Sequence, residues 1–244
     1  MDHNLIKSKI KNIDAKIWWG DDFDVRFYLI SELENLKKQI VLDLGGGVGI
    51  ICSEMDESNY RINLDLSFDD LIICKENLSP NIEKICASMT HLPFKENLFD
   101  TVICSHLIEV AKAKDLKQKN IIKKDNVNSF PTVEKVFSNI SHVLKNNGIL
   151  FLTTPNNLGY KSNKLDYYEL KNALKNHFRQ ISLKFYNTFP KLSKKYRKLN
   201  MANVLPKMLS KIIGYKEISK SLVKSDEGVP RESISFFVKC SNNR

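Results

Sequence analysis

The stretch VLDLGGGVG, residues 41–49, decides the fold: an apolar run reaches Asp43 and passes directly into Leu44, Gly45, Gly46, Gly47, Val48 and Gly49. Glycine is needed where a chain must turn tightly and bring its backbone up to a ligand with no Cβ in the way. The dinucleotide fingerprint GxGxxG also sits at a strand-to-helix turn. Its register fails here, because the third glycine would fall on Ile50 counted from Gly45 and on Cys52 counted from Gly47. What fits is acidic-x-Gly-x-Gly-x-Gly, met by Asp43, Gly45, Gly47 and Gly49.

Outward from that loop, short apolar runs bounded by turn residues alternate with helix-length segments through the first 155 residues. This is the pattern of a parallel sheet wrapped by helices. Strands are predicted at Ile40–Leu44, Tyr60–Leu64, Lys84–Cys86, Thr101–Cys104 and Ile149–Thr153, and helices at Gly49–Met55, Phe68–Leu78 and Val133–Lys145. The last of these should stop at Asn146-Asn147-Gly148, a C-terminal signal. A further helix, Tyr167–His177, is opened by Asp166 with Glu169 three residues on, the spacing of a capping box. Gln180–Phe185 and Ser233–Cys240 alternate as two late strands.

The chain has 244 residues, 42% of them hydrophobic and 27% charged, which excludes a disordered, collagenous or disulfide-scaffold protein. Its start lacks the apolar core of a secretion signal, and no apolar run approaches the roughly 18–20 residues that cross a bilayer, so a cytoplasmic location is expected. The five cysteines form no CxxC pair, and no metal site is suggested. Cys52, Cys86 and Cys104 lie beside apolar stretches and are expected to pack as small hydrophobes.

The net charge of +10 belongs to two segments. Residues 190–224 carry ten Lys or Arg against Glu217 alone, and residues 111–130 carry six Lys against Asp115 and Asp125. Both read as insertions, the first a helical cap before the last strand. An anionic partner is implied at these patches, solvated lysine faces being the alternative. In the first segment Leu205, Met208, Leu209, Ile212 and Ile213 share one helical face and Lys207, Ser210 and Lys211 the other. Such a helix suits either peripheral contact of residues 204–223 with the inner face of a membrane or cover for the protein's own cleft. The reading is one domain over residues 1–244, with a helical lid at 1–39 in which Trp18 and Trp19 pack or close over the site.

At the glycine loop the chain resembles the class I S-adenosylmethionine-dependent methyltransferases, and three later stretches extend the likeness. Asp65, in INLDLS, stands twenty-two residues after Asp43, where the family places an acid for the two ribose hydroxyls; NAD-binding folds use an acid at nearly the same distance. HLPFKENLFDTVICSHLIE (91–109) resembles the family's LPF…FD segment, and SHVLKNNGILFLTTPNN (141–157) its following helix, Gly turn and fifth strand. The resemblance spans residues 40–155 closely, and 167–185 and 233–240 loosely. It implies a Rossmann-like α/β fold: a seven-stranded, mostly parallel sheet with helices on both faces and the last strand antiparallel. It also implies S-adenosyl-L-methionine as cofactor, held by Asp43, Gly45, Gly47, Gly49 and Asp65. Ser88 stands where an acid often meets the adenine, so the base would rest on Ser88 and the Met89 backbone. Val110 stands where the family frequently has His, which leaves His106 as the first candidate base and Glu109 as the second. Arg26 is a lesser candidate for the cofactor carboxylate.

The implied activity is methylation of O or N on a small-molecule or lipid-linked, anionic acceptor, largely by alignment of nucleophile and methyl group. RNA methylation is the runner-up, opposed by the lack of an NPPY-like motif and of aromatics interleaved with the basic residues. An NAD-linked oxidoreductase and a non-catalytic cofactor-binding protein are the alternatives of other classes.

Overall fold

The structure is a computed structural model that describes residues 25–77, 81–119, 121–124, 127–156, 164–186, 223–224 and 235–241. After α1 (Val25–Leu33), β1 (Ile40–Leu44) runs into the glycine turn and the short α2 (Ile50–Ser53). There follow β2 (Tyr60–Asp65), α3 (Phe68–Asn77), β3 (Ile82–Cys86), β4 (Phe99–Ser105) and α4 (Ile108–Lys117). A ribbon of β5 (Ile122–Lys124) and β6 (Val127–Ser129) leads to α5 (Pro131–Val143) and β7 (Leu144–Pro155). The chain closes with α6 (Tyr167–Lys175), β8 (Gln180–Tyr186), β9 (Val223–Lys224) and β10 (Ser235–Ser241).

The main sheet has the order β3-β2-β1-β4-β7-β10-β8, with the two-residue β9 on the edge beyond β8. The pairs from β3 through β7 are parallel, and β10 runs antiparallel between β7 and β8. This is the Rossmann-like sheet implied by the sequence, with the last long strand reversed as expected. Strand order reverses at the β1/β4 boundary, and such a switch opens a crevice beyond the carboxyl ends of the strands.

Side-chain alternation divides the core between two faces. Leu42, Leu44, Val102, Cys104, Leu150 and Leu152 meet α4, α5 and α6 on one face. Val41, Ile103, Phe151 and Phe237 meet α1 and Ile51 of α2 on the other. The described part of the N-terminal segment, α1, packs into the core: Val25, Phe27, Leu29 and Leu33 are almost fully buried. Trp18 and Trp19 lie outside the described residues. So do the amphipathic stretch 205–213 and, except for Val223–Lys224, the segment 190–224.

Several local expectations are corrected. The helix after the glycine turn ends at Ser53 instead of Met55. The buried Arg61 of β2 donates from Nη1 to the carbonyls of Cys52 (3.1 Å) and Met55 (3.3 Å), a cation on the carbonyl end of the helix. Asn146-Asn147-Gly148 does not stop α5, which ends at Val143; Leu144 turns straight into an extended conformation. Together with Lys145 these three residues instead form a bulge in β7 between the pairs Phe99↔Leu144 and Thr101↔Ile149. A Cβ on Gly148 would lie 3.0 Å from the Phe99 and Lys145 carbonyls, so the bulge favours glycine there. Cys86 is exposed, whereas Cys52 and Cys104 are buried as expected.

Residues 111–130 are not a separate insertion, since the segment begins inside α4. Lys112, read from the sequence as part of an anion-binding patch, is buried. Its Nζ lies 2.7 Å from Glu169 Oε2 and 2.8 Å from the Lys164 carbonyl, and it sits over the Phe130 ring. Asp115 is also buried and accepts from the Thr132 amide (2.8 Å) and hydroxyl (2.6 Å), serving the first turn of α5 in place of an N-cap side chain. The expected capping box of α6, Asp166 with Glu169, is formed.

Candidate functional site

The glycine turn is stitched to the end of β2. Gly45 N–H donates to the Leu64 carbonyl at 2.7 Å, Gly47 N–H to Asp65 Oδ2 at 2.8 Å, and Asn63 Nδ2 to the Gly47 carbonyl at 2.8 Å. Gly45 and Gly47 adopt φ of 73° and 54°, the left-handed region where a Cβ is costly. Added at Gly47, a Cβ would meet open space. At Gly46 it would lie 2.3 Å from Asn63 Oδ1 and 2.6 Å from Asp43 Oδ2. The middle glycine, absent from the sequence motif, is thus required by packing, while at Gly45 a Cβ would meet the more yielding end of Leu107 at 2.7 Å.

Asp65 closes the end of β2. Its Oδ1 accepts from the Ser67 amide at 2.8 Å while Oδ2 holds Gly47. A carboxylate oxygen carries two lone pairs, so each retains one acceptor position. Asp43 is fully buried, and neither of its oxygens closes a hydrogen bond. Burial pushes its carboxyl up to about 7; the Cys52 thiol and amide, donors turned toward it without closing a hydrogen bond, oppose the shift and the Asp65 charge reinforces it.

Beyond β4, Ser105 bonds to Thr153 Oγ1 (2.8 Å), and His106 turns with φ of 53°, its amide donating to the Thr153 carbonyl at 2.8 Å. A non-glycine residue in this region is uncommon and marks a constrained position. His106 Nδ1 is 3.8 Å from Glu109 Oε1, and Glu109 Oε2 accepts from the Thr154 hydroxyl at 3.2 Å. Burial raises the Glu109 carboxyl above its usual range, against the pull of the Thr154 bond and of the Lys164 and Arg26 charges.

A cleft of about 280 Å³ brings together Asp43, Gly45, Gly47 and His106 with Arg26. That is just below the roughly 300–1,000 Å³ of small-molecule sites. Asp65 does not itself line the cleft but holds Gly47, which does. Gly49 begins α2 with φ of 81°. Glu109, Ser88 and Met89 do not line the cleft. Ser88 Oγ bonds to Thr90 Oγ1 at 2.9 Å, and the Met89 carbonyl accepts from Asn139 at 3.2 Å. Sequence reasoning missed Ser105 and Asp70, which also line the cleft. Ser105 was legible as the last residue of β4, adjoining His106. Asp70 carried no signal beyond its place in the first turn of α3. Its carboxyl is raised by burial and by the charges of Asp65 and Asp69, with the Ser67 hydroxyl opposing.

Residues 42–152 match the family described as Methyltransferase domain. An uncharacterized protein of Methanocaldococcus jannaschii is 32% identical over 128 residues, which are 52% of this chain and 46% of that protein. The match thus spans about half of either chain. Among solved structures, a TehB-like S-adenosylmethionine-dependent methyltransferase from Corynebacterium glutamicum superposes with a TM-score of 0.58 at 12% identity, covering 98% of this chain and 96% of that one. A phosphoethanolamine N-methyltransferase 2 of Haemonchus contortus, in complex with phosphomonomethylethanolamine and S-adenosylhomocysteine, gives 0.55 at 16%, covering 90% of this chain and 52% of that one. Residues 42–152 thus resemble the methyltransferase domain family, and the solved structures share the fold of this chain.

The residues present fit S-adenosyl-L-methionine, the cofactor named for the Corynebacterium glutamicum structure. An ammonium needs a buried acceptor, and Asp43 offers two oxygens outside any hydrogen bond. Close backbone approach needs an unobstructed turn, and Gly47 faces open space. An apolar base needs an apolar platform, and Leu66, next to Asp65, is 73% exposed.

Proposed function

We propose that this chain transfers a methyl group to an oxygen or nitrogen of a small-molecule or lipid-linked, anionic acceptor. The observation that carries the reading is the convergence of the glycine turn, the unpartnered Asp43 carboxyl and His106 on one cleft, with Asp65 holding Gly47. Gly45, Gly47 and Asp43 would hold the amino-acid end of the cofactor. Asp65 would take the ribose hydroxyls, and Leu66 with Ser88 and Met89 would border the base. The cofactor supplies a methyl group already activated on a sulfonium. What remains for the protein is to align the acceptor, an effect worth up to roughly 7–11 kcal/mol in favourable cases, and to take its proton. His106 is the proposed base, with Glu109 beside its Nδ1. An acceptor of this size class is supported by the small phosphate-bearing amine in the Haemonchus contortus enzyme.

Labelled S-adenosylmethionine incubated with the full chain and cell extract, then separated into polar, lipid and RNA fractions, tests the proposal. Label in the polar or lipid fraction is expected, and label confined to RNA would overturn it. Peripheral membrane contact would show as loss of vesicle flotation when residues 204–223 are deleted. Among the described residues no helix is long and apolar enough to cross a membrane.

Asp65→Ala removes the acceptor of the Gly47 and Ser67 amides along with the proposed ribose contact. Cofactor affinity by calorimetry should weaken by about 1–3 kcal/mol, the cost of leaving such donors unmet. An unchanged affinity would remove Asp65 from the site.

A further inference from the structure

Asp43 and Asn63 are register partners on β1 and β2, both fully buried. Neither Asp43 oxygen nor Asn63 Oδ1 closes a hydrogen bond. Asn63 Oδ1 and Asp43 Oδ2 both lie within 2.6 Å of the point that a Cβ on Gly46 would occupy. Two buried acceptors converging without a donor between them repel each other while Asp43 is charged. A single proton on Asp43 turns the pair into donor and acceptor.

The Cys52 thiol and amide, turned toward Asp43, favour its charged form, but burial and the Asp65 charge outweigh them. From β2, Asp65 adds negative charge, and the Nη1 of Arg61 is directed to the carbonyls of Cys52 and Met55. Cys52 of α2, Cys74 of α3 and Cys104 of β4 face the same region, and burial pushes all three thiols up, so they stay neutral. Asp70 of α3 lines the same cleft, as do Arg26 of α1 and His106 beyond β4. Burial with these neighbours brings the carboxyl up to about 7.

From this arrangement we infer that Asp43 carries a proton in the ligand-free protein and releases it to solvent when an ammonium-bearing nucleoside enters the cleft. The inference rests on the cofactor reading above and adds proton linkage to it. The carboxyl O–H bond breaks, its electron pair stays on the carboxylate, and the proton passes to buffer. The ligand keeps its ammonium hydrogens, and nothing is oxidised or reduced. The sign of the pH dependence follows. Binding selects the ionised acid, so affinity falls about tenfold per unit of pH below the folded value and levels off above it. On the alkaline side it declines again as the ligand's own amine titrates, near the ~8 of an α-amino group.

Calorimetry of the full chain with S-adenosylhomocysteine, in buffers of different ionisation enthalpy at about pH 6, reads the released proton directly. Release approaching one proton is expected for the wild type. Asp43→Asn should release none and show an affinity flat across the acid range. Methylthioadenosine, which has no amino-acid end, should bind the wild type with no proton release and no acid limb. That arm stands even if Asp43→Asn does not fold. Binding of S-adenosylhomocysteine with no buffer dependence would overturn the inference and leave the cofactor reading intact. Release of a proton with methylthioadenosine would also overturn it, because the proton would then come from another group. Failure of both nucleosides to bind would sink the cofactor reading and the inference together.

Discussion

Gly46→Ala is expected to destabilise the ligand-free protein by about 1–3 kcal/mol, the usual cost of overpacking, and to lower kcat/KM by at least about 10²-fold, the cost of a displacement near 1 Å at a reacting centre. The new methyl would lie 2.3 Å from Asn63 Oδ1 and 2.7 Å from Asp43 Cγ, distances at which something must move. Neither obstacle is the loose end of a surface chain. Asn63 is buried and tied by its Nδ2 to the Gly47 carbonyl. Asp43 is locked beneath the turn. Relief therefore comes from lifting the turn itself, which strains the Gly47 bond to Asp65 and displaces the backbone proposed to face the cofactor. Gly47→Ala makes the contrast. Its methyl would meet open space, so the ligand-free protein bears only the roughly 1–2 kcal/mol of a left-handed alanine, and the larger loss appears on binding. Thermal melts of both variants, with and without S-adenosylhomocysteine, separate the two patterns. The double variant Gly46→Ala/Asn63→Ala removes the nearer obstacle and should recover part of the stability. Strict additivity would mean the collision is not the cause.

How much of this was legible in the sequence follows from which interactions are local. The glycine motif, its strand and Asp65 could be read because each lies within a few residues of a turn whose geometry demands particular residue types. The contact between Asp65 and Gly47 came only with the parallel pairing of β1 and β2. Gly46 escaped notice because its need arises from Asn63, across the β1/β2 register. Asp70 escaped because only the packing of α3 brings it to the cleft. Lys112 was misread for the same reason. Its partner Glu169 is 57 residues away, so a run of lysines concealed one that is buried and paired. The early end of α2 depends on Arg61 reaching back from the next strand. The bulge at Asn146-Asn147-Gly148 depends on Leu144 being claimed by β4 before a helix stop can form. In each case a local preference yielded to a partner set by topology.

His106→Asn is expected to lower kcat by about 10²–10⁴-fold, the usual worth of a positioned general base, with affinity for S-adenosylhomocysteine nearly unchanged. Asparagine is the informative replacement, since it tolerates the left-handed backbone that His106 adopts at φ of 53°. The turn after β4 and its amide bond to the Thr153 carbonyl therefore survive, and only the imidazole is lost. Glu109 is placed to orient that ring. Its Oε2 is held by Thr154 and its Oε1 lies 3.8 Å from Nδ1, close enough for a modest rearrangement on acceptor binding to close a hydrogen bond. Glu109→Gln should consequently cost less than His106→Asn and shift the acid limb of the kcat profile rather than abolish it. A base acting through His106 requires that limb to vanish in His106→Asn. An unchanged rate would mean that the acceptor arrives already deprotonated and that alignment alone drives transfer. A fall in cofactor affinity to match the fall in rate would instead make His106 part of the cofactor site. The two assignments make opposite predictions for one pair of measurements, and both arise because His106 and the glycine turn line one cleft.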